Sequence, residues 1–160
     1  MTKSKVIYYF SYGTSLGLIS IIANDRAITG LQFGKYHSSA GNIRKETPII
    51  KQAAVQLKEY LVGVRKKFAL KLEQSGTDFQ LATWHAMQQI PYGETRSYGE
   101  IAHIINHPYA GRAVGGACNK NPMPIFIPCH RVIGSNGDLV GYSDGIAIKK
   151  RLLLIEGALP

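Results

Sequence analysis

The segment from Ile127 to Ile133, "IPCHRVI", places a thiol, an imidazole and a guanidinium side by side between apolar residues. A thiolate is a strong nucleophile, and cationic or hydrogen-bonding neighbours lower the pKa of a thiol. Cys129 and His130 are therefore a candidate nucleophile and base. Adjacent side chains on a strand point to opposite faces, so a bridging water could link the two. The alternative is a buried structural cysteine. If the Cys-His pair were the only signal, this alternative would be favoured.

Two residues outside this segment could support such chemistry. Asn121 opens an Asn-Pro step, which favours a turn that the asparagine side chain holds by bonding nearby backbone groups; the alternative is a simple loop. Glu156 is the lone acid in a largely apolar terminal segment, and it could orient His130 as the third group of a nucleophile–base–acid relay. For Glu156 the alternatives are an exposed carboxylate or an ion pair with Lys149 or Lys150.

The segment 110–120, "AGRAVGGACNK", predicts a helix made of unusually small residues. A glycine inside a helix costs about 1 kcal/mol relative to alanine, so Gly115 and Gly116 need a physical reason. Either this helix packs closely on another helix, or its backbone approaches something as large as a duplex groove, with Arg112 projecting into it. Composition alone leaves both open. Cys118, the second cysteine of the chain, is interpreted as a packing residue.

The first half of the chain predicts strands followed by a helix. Three segments rich in β-branched and aromatic residues, separated by glycine or Asn-Asp turns, are typical of an antiparallel meander: 5–12, 14–24 and 26–35. A polar loop is predicted over 37–46. Thr47 is a candidate N-cap with Pro48 at the first helical position, and Gly63 ends the helix. Segment 66–76 predicts one more strand.

The second half predicts helices around the thiol segment. Apolar spacing and caps, including a Ser-x-x-Glu capping box, indicate four helical segments: 77–90, 97–107, 110–120 and 146–158. The second and third are joined by a tight connection, as in a helix-turn-helix. A strand-like run over 121–134 carries the thiol. We therefore expect an α+β fold of two lobes, an N-terminal α/β lobe at 1–76 and a mostly helical lobe at 77–160.

Composition limits the classes of protein to consider. With 160 residues and a hydrophobic fraction of 45%, the chain can bury a core without disulfides. No apolar run reaches the ~18 residues that a membrane span needs, and the N-terminal "MTKSKVIYYFSYG" lacks the features of a signal peptide. Two cysteines cannot form a disulfide framework, and no Cys or His cluster offers metal spacing. We expect a cytoplasmic protein without a bound metal.

The formal net charge of +9 suggests a polyanionic partner. Most of the excess lies in residues 1–77, where 12 Lys and Arg face 4 Asp and Glu, while residues 78–160 carry 7 against 6. The second half nevertheless has no acidic residue between Glu100 and Asp138, a stretch that holds three cations: Arg112, Lys120 and Arg131. A solvated basic surface is the alternative to nucleic-acid binding.

Taken together, seven motifs resemble those of the O6-alkylguanine-DNA alkyltransferases, also called methylated-DNA–protein-cysteine methyltransferases. They follow the family's order and approximate spacing: "IPYGET" at 90–95, "SYGEIA" at 97–102, "RAVGGA" at 112–117, "NP" at 121–122, "PCHRV" at 128–132, "GYSDG" at 141–145 and "LLLIEG" at 152–157. The match is strong over residues 78–160, whereas residues 1–77 fit only in layout. The resemblance implies a ribonuclease H-like layout for the first lobe and a winged-helix-like helix-turn-helix in the second.

The resemblance implies a role for each candidate residue in the reaction. Cys129 would accept the alkyl group of guanine O6 by in-line displacement, with His130 as base through a water and Glu156 orienting it. Asn121 would hold the turn that presents the thiol, and Tyr98 would protonate or hydrogen-bond the departing guanine. The thioether product would be permanent, so the protein would react once, as a stoichiometric methyltransferase without a cofactor.

The resemblance also implies contacts with double-stranded DNA that contains O6-alkylguanine. Arg112 would fill the stack after the damaged nucleotide turns out, and the helix-turn-helix would dock in the minor groove. The other residues implied to contact DNA are Tyr98, Ala113, Gly115, Gly116 and Ser135, and those implied to line the base pocket are Val132, Tyr142 and Ser143. We expect a monomer that does not associate with membranes.

One position departs from the family's pattern, and two other functions stay open. The family commonly has glycine where this chain has Asp144, so we expect slower reaction with bulky adducts such as O6-benzylguanine than with O6-methylguanine. An alkyltransferase-like protein would bind damaged DNA without accepting the alkyl group, but such proteins typically lack the cysteine found at position 129. A cysteine hydrolase built on Cys129, His130 and Glu156 would need an oxyanion hole and would turn over.

Overall fold

The structure, a computed structural model, describes residues 6–159. The start of the first predicted strand, at residue 5, lies outside the described residues. The chain divides into two compact units, Met1–Gln74 and Ser75–Pro160. The first is a sheet with a helix and the second is mostly helical, so the predicted α+β fold is confirmed.

The first unit is built on a four-stranded sheet in the order β3-β2-β1-β4. Its strands are β1 (Tyr8–Thr14), β2 (Gly17–Ala23), β3 (Ile28–Phe33) and β4 (Ile43–Arg44). β1 pairs antiparallel with β2, and β2 with β3, so the predicted meander is confirmed. The predicted loop over 37–46 is wrong at its end, because β4 pairs parallel with β1.

Segment 66–76 does not form the predicted strand. It meets the sheet at a single bridge between Ile28 and Leu72. Further back, the Gln56 side chain takes the place of a strand partner: its amide nitrogen donates to the Ala69 carbonyl (3.2 Å), and its oxygen accepts from the Ala69 N–H (2.9 Å). Those backbone groups are satisfied without a ladder, so the segment stays irregular.

The helix α1 (Pro48–Leu61) begins as predicted, because the Thr47 side chain accepts from the Ile50 N–H and proline occupies the first turn. Its buried residues recur every three or four positions and include Ile50, Leu57 and Tyr60. The helix contacts β1, β2 and β3, and this packing forms the core of the first unit.

The second unit holds α2 (Asp78–Gln88), β5 (Arg96–Ser97), α3 (Tyr98–Ile104), α4 (Gly111–Asn119), β6 (Val132–Ile133) and α5 (Ile146–Ile155). α2 and α3 both begin with capping boxes, at Thr77 and Ser97. The helices α2, α3 and α4 pack on one another around buried residues that include Trp84, Ile101 and Val114. Throughout residues 6–159, no helix combines the length and apolarity that crossing a bilayer requires.

The strand-like run predicted over 121–134 is wrong for most of its length. Three prolines in it cannot donate to a ladder, and Ile125 has a φ of 76°, which breaks an extended path. Cys129–Arg131 form a 3-10 turn instead, and only Val132–Ile133 are extended, as β6. The prediction that Cys129 and His130 point to opposite faces of a strand therefore does not apply.

Candidate active site

A two-stranded parallel sheet brings distant parts of the sequence together. Arg96 pairs with Val132, and Ser97 pairs with Ile133. Tyr98 begins α3 directly after β5, and the turn that contains Cys129 directly precedes β6. Two motifs more than thirty residues apart in the sequence thus meet at one edge of the helical unit.

Asn121 holds the approach to the thiol. Its side-chain amide donates to the Ile127 carbonyl (2.8 Å), and its side-chain oxygen accepts from the Met123 N–H (2.9 Å). The Cys129 N–H donates to the same Ile127 carbonyl (2.8 Å). One carbonyl thus ties the asparagine to the cysteine backbone, and the nearby Asn121 side chain lowers the pKa of the Cys129 thiol.

The Cys129 thiol is buried, with 6% of the residue exposed. Burial raises the pKa of Cys129 to about 11, against the lowering effects of the Asn121 hydrogen bond and the Lys149 charge, while the Asp144 carboxylate raises it further. At neutral pH the sulfur therefore carries its proton. A base is needed before or during any attack by this sulfur.

The candidate base, His130, has a fixed orientation. His130 Nε2 lies 2.6 Å from Glu156 Oε2, and both side chains are fully buried. The same carboxylate accepts from Arg131 Nε (2.8 Å) and Nη2 (3.0 Å) and from the Gly93 N–H (3.2 Å). Arg131 also donates to the Ile90 carbonyl (2.7 Å). Arg131, the guanidinium next to the thiol in sequence, thus pairs with the Glu156 carboxylate.

These partners decide the protonation state of His130. A carboxylate clamped by an arginine only accepts hydrogen bonds, so Nε2 of His130 carries the hydrogen and Nδ1 holds the lone pair. Burial lowers the pKa of His130, and Glu156 only partly opposes this. The imidazole is therefore neutral at pH 7 and can take up a proton at Nδ1.

Lys149 is a site residue that the sequence reasoning did not assign. Its residue is only 1% exposed, and Nζ donates to the carbonyls of Val132 (2.5 Å) and Val140 (2.9 Å). Burial lowers the pKa of this amine, whereas the two nearby thiols raise it. The buried charge is the cation that favours thiolate at Cys129. Its position between Ile148 and Lys150 in a predicted helix gave no signal in the sequence.

Tyr98 closes the site in this structure. Its hydroxyl donates to the Val140 carbonyl (2.8 Å), the carbonyl that Lys149 also bonds. A side chain at Gly141, which has a φ of 74°, would come within 2.8 Å of the Tyr98 hydroxyl. Burial raises the pKa of Tyr98 to about 12, so the phenol holds its proton and can donate it.

The loop before α5 supplies the predicted pocket residues. Tyr142 is buried, and its hydroxyl has no hydrogen-bond partner among residues 6–159. The Gly145 N–H donates to the Tyr142 carbonyl (3.1 Å), which places Ser143 and Asp144 at the corner of a tight turn. Both corner residues are exposed, and partial burial raises the pKa of Asp144. Val132 is buried, and its carbonyl accepts a hydrogen bond from Lys149 Nζ.

The small-residue helix α4 presents an open face. Arg112, Ala113 and Gly116 are exposed, and a side chain added at Gly116 would meet nothing within 4 Å. A side chain at Gly115 would touch the Tyr98 ring at 3.9 Å, an ordinary contact. Close packing within the described unit thus does not explain Gly116, which favours an external partner. Ser135, also implied to contact DNA, is exposed on a separate turn.

The second cysteine lies apart from this chemistry. The Cys118 thiol donates to the Met87 sulfur (3.5 Å) in the interior, and burial raises the pKa of Cys118 to about 12. It is a packing residue, as predicted from its small neighbours. Among the residues that the structure describes, no group of three His, Cys, Asp or Glu side chains is arranged to hold a metal ion.

Comparison with known proteins gives one family for both units. A family model for the DNA binding domain of 6-O-methylguanine DNA methyltransferase matches residues 78–158, and one for its ribonuclease-like domain matches residues 7–74. The methylated-DNA–protein-cysteine methyltransferase of Methanosarcina acetivorans is 42% identical over 95% of this chain and 99% of its own length. The constitutive methylated-DNA–protein-cysteine methyltransferase of Bacillus subtilis is 45% identical over 93% of this chain and 94% of its own length. Mycobacterium tuberculosis OGT, in a crystal structure with DNA, has a TM-score of 0.88 and 39% identity, covering 94% of this chain and 93% of that one.

Proposed function

The chain belongs to the 6-O-methylguanine DNA methyltransferase family, and from that premise we propose that it repairs duplex DNA by moving the alkyl group of O6-alkylguanine onto Cys129. The resemblance inferred from the sequence motifs is confirmed at the level of the family. One observation carries the assignment: the buried Cys129 thiol follows a turn held by Asn121, next to a neutral imidazole that Glu156 orients.

The proposed step conserves atoms and charge. The Cys129 sulfur attacks the alkyl carbon, the new S–C bond forms as the C–O6 bond breaks, and the electron pair stays on guanine. The thiol proton passes to Nδ1 of His130 through a water. Guanine takes a proton from the Tyr98 phenol, which His130 restores through solvent. The net result is a thioether, an unmodified guanine and one proton moved from sulfur to guanine.

The same geometry explains why the thiol needs help. With a pKa of about 11, ionising Cys129 at pH 7 would cost about 5 kcal/mol. That cost already includes the lowering effects of Asn121 and Lys149, so His130 has to accept the proton as the S–C bond forms. Water does not cleave a thioether under ordinary conditions, so each molecule reacts once. The protein is then a stoichiometric reagent and needs no cofactor.

The flipped guanine can enter only if the closed site opens. Because Cys129 is 6% exposed and the Tyr98 hydroxyl is bonded to the Val140 carbonyl, a flipped guanine has to displace that hydrogen bond. The Tyr98 hydroxyl then hydrogen-bonds the guanine instead of the Val140 carbonyl. Tyr142, Ser143 and Val132 line the pocket that opens. The Tyr98–Val140 bond therefore closes the site until substrate arrives.

The exposed face of α4 is proposed to bind the duplex. Arg112 lies at its start, and the absence of side chains at Gly116 lets the backbone approach a narrow minor groove. We assign Arg112 to the space left by the flipped nucleotide, with Ala113, Gly115 and Ser135 alongside. Contacts of this type read shape and phosphate more than sequence, which suits a repair protein. We further expect it to act as a monomer in the cytoplasm.

One assay separates this function from its competitors. The protein is mixed with duplex DNA that carries labelled O6-methylguanine, and the label is followed. Transfer of one equivalent to protein supports the proposal, binding without transfer supports an alkyltransferase-like role, and repeated release of label into solution supports a hydrolase. Cys129→Ser is expected to bind the duplex but accept no label. Arg112→Ala is expected to bind it weakly yet react almost normally with free O6-benzylguanine; equal losses on both would refute the assigned role.

A further inference from the structure

The turn between α3 and α4 carries a fully exposed aromatic side chain. Tyr109 is fully exposed, more so than any other large hydrophobic residue that the structure describes. Within residues 6–159 it makes no side-chain hydrogen bond and no ring contact. It lies three residues before Arg112, which is also exposed. The fold of this unit therefore makes no use of the Tyr109 ring.

The turn itself is well fixed. Asn106 ends α3 in a left-handed conformation (φ 64°), and the His107 N–H donates back to the Ala102 carbonyl (2.9 Å). The Ala110 N–H closes the next turn on the His107 carbonyl (2.9 Å), and the His107 ring packs edge-on against Phe79 at 5.6 Å. An ordered backbone thus holds the neighbouring aromatic residue out in solvent. A ring presented in this way loses little further entropy when a partner covers it.

The surroundings of the ring favour a nucleic acid as that partner. Between Glu100 and Asp138 there is no acidic residue, and the exposed cations nearest to Tyr109 in sequence are Arg112 and Lys120. A basic surface with an exposed aromatic side chain suits a polyanion that also offers sugar and base faces for ring contact. An acidic or apolar protein partner would use the charge or the ring, but would gain less from both together.

We propose that Tyr109 is an additional DNA contact, whose ring packs on the duplex beside Arg112 and strengthens the binding of damaged and undamaged DNA alike. The inference rests on the proposed function only in that the helical unit binds DNA. It does not depend on which base is repaired. Because the ring is fully exposed and makes no hydrogen bond or ring contact with residues 6–159, substituting it should leave the protein's stability unchanged.

The test measures duplex affinity in the Cys129→Ser background, where no transfer occurs. Tyr109→Ala is expected to weaken binding about fivefold or more, while Tyr109→Phe retains most of the affinity because the ring is the contact. The melting temperature and the reaction of otherwise wild-type Tyr109→Ala with free O6-benzylguanine are expected to stay unchanged. Leu154→Ala, which removes an exposed apolar side chain from α5, is the matched control and should bind normally.

Wild-type affinity in Tyr109→Ala would overturn the proposal. Equal loss in the alanine and phenylalanine variants would also overturn it, because the hydroxyl and not the ring would then be the contact. A loss of affinity in Leu154→Ala as large as that in Tyr109→Ala would assign the effect to general surface apolarity. If the wild-type protein binds duplex but accepts no methyl group, the proposed function fails, and the Tyr109 contact is still decided by the binding data.

Discussion

The buried carboxylate of Glu156 allows stability and reactivity to be separated. It accepts hydrogen bonds from His130 (2.6 Å), from two nitrogens of Arg131 (2.8 and 3.0 Å) and from the Gly93 N–H (3.2 Å). Glu156→Gln keeps the size of the side chain and removes the charge. The Arg131 guanidinium then lies buried without a counter-ion, which should lower the unfolding free energy by about 3–5 kcal/mol.

The same substitution should slow alkyl transfer for a different reason. Glutamine cannot stabilise the imidazolium that forms when His130 takes the thiol proton, so it weakens a general-base step that typically contributes about 10²–10⁴ in rate. The double variant Glu156→Gln with Arg131→Met distinguishes the two effects. Removing both charges should return most of the lost stability, because a buried ion pair is often replaceable by apolar groups. The transfer rate should stay low.

Two measurements decide the outcome. Urea unfolding gives the free energies of wild type, both single variants and the double variant, and single-turnover transfer from saturating labelled duplex gives the rates under conditions where each is folded. Stability losses that add in the double variant would refute the buried-pair account. Recovery of the rate together with stability would show that Glu156 acts only as a structural residue.

Three further predictions follow from the charged groups of the site. Burial lowers the pKa of His130, so below about pH 6.5 the unfolded chain binds a proton that the folded chain does not. The unfolding free energy should therefore fall by up to about 1.4 kcal/mol for each pH unit below that value. In His130→Asn, urea titrations at several pH values should show a weaker dependence of the unfolding free energy on pH. An unchanged slope would contradict this. Lys149→Met should slow single-turnover transfer, because the buried ammonium no longer lowers the pKa of the Cys129 thiol; an unchanged rate in the folded variant would contradict this role. Asp144→Gly should speed reaction with O6-benzylguanine more than with O6-methylguanine; equal wild-type rates for the two, or no gain in the variant, would refute the proposed hindrance.

Local features of the fold were predictable from the sequence. Thr47 and Thr77 cap helices as expected, because a side chain that bonds a backbone N–H three residues away needs no information from elsewhere. The errors concern partners that are distant in sequence. The pairing of β4 with β1 joins segments more than thirty residues apart, and segment 66–76 lacks a full ladder because Gln56 meets its backbone. Alternation alone does not reveal whether a partner strand exists.

In the candidate site, too, some residues could be recognised from local sequence, whereas the roles of others depend on partners that are distant in sequence. Cys129, His130 and Glu156 could be singled out because their types and neighbours are unusual, and the structure joins the last two at 2.6 Å. The duties of Arg131 and Lys149 could not be assigned, because each depends on carbonyl or carboxylate groups supplied by other elements. A lysine in a terminal helix is most often solvated, so its burial becomes visible only once the loop and β6 are placed against α5.

The most direct test is to locate the methyl group after reaction. The protein is incubated with excess duplex that contains O6-methylguanine, digested, and its peptides are analysed by mass spectrometry alongside the repaired DNA. The account predicts one methyl group per molecule, on the peptide with Cys129, matched by an equal amount of unmodified guanine. Methylation of Cys118 instead, or guanine formed in molar excess over protein with free methanol in solution, would contradict it.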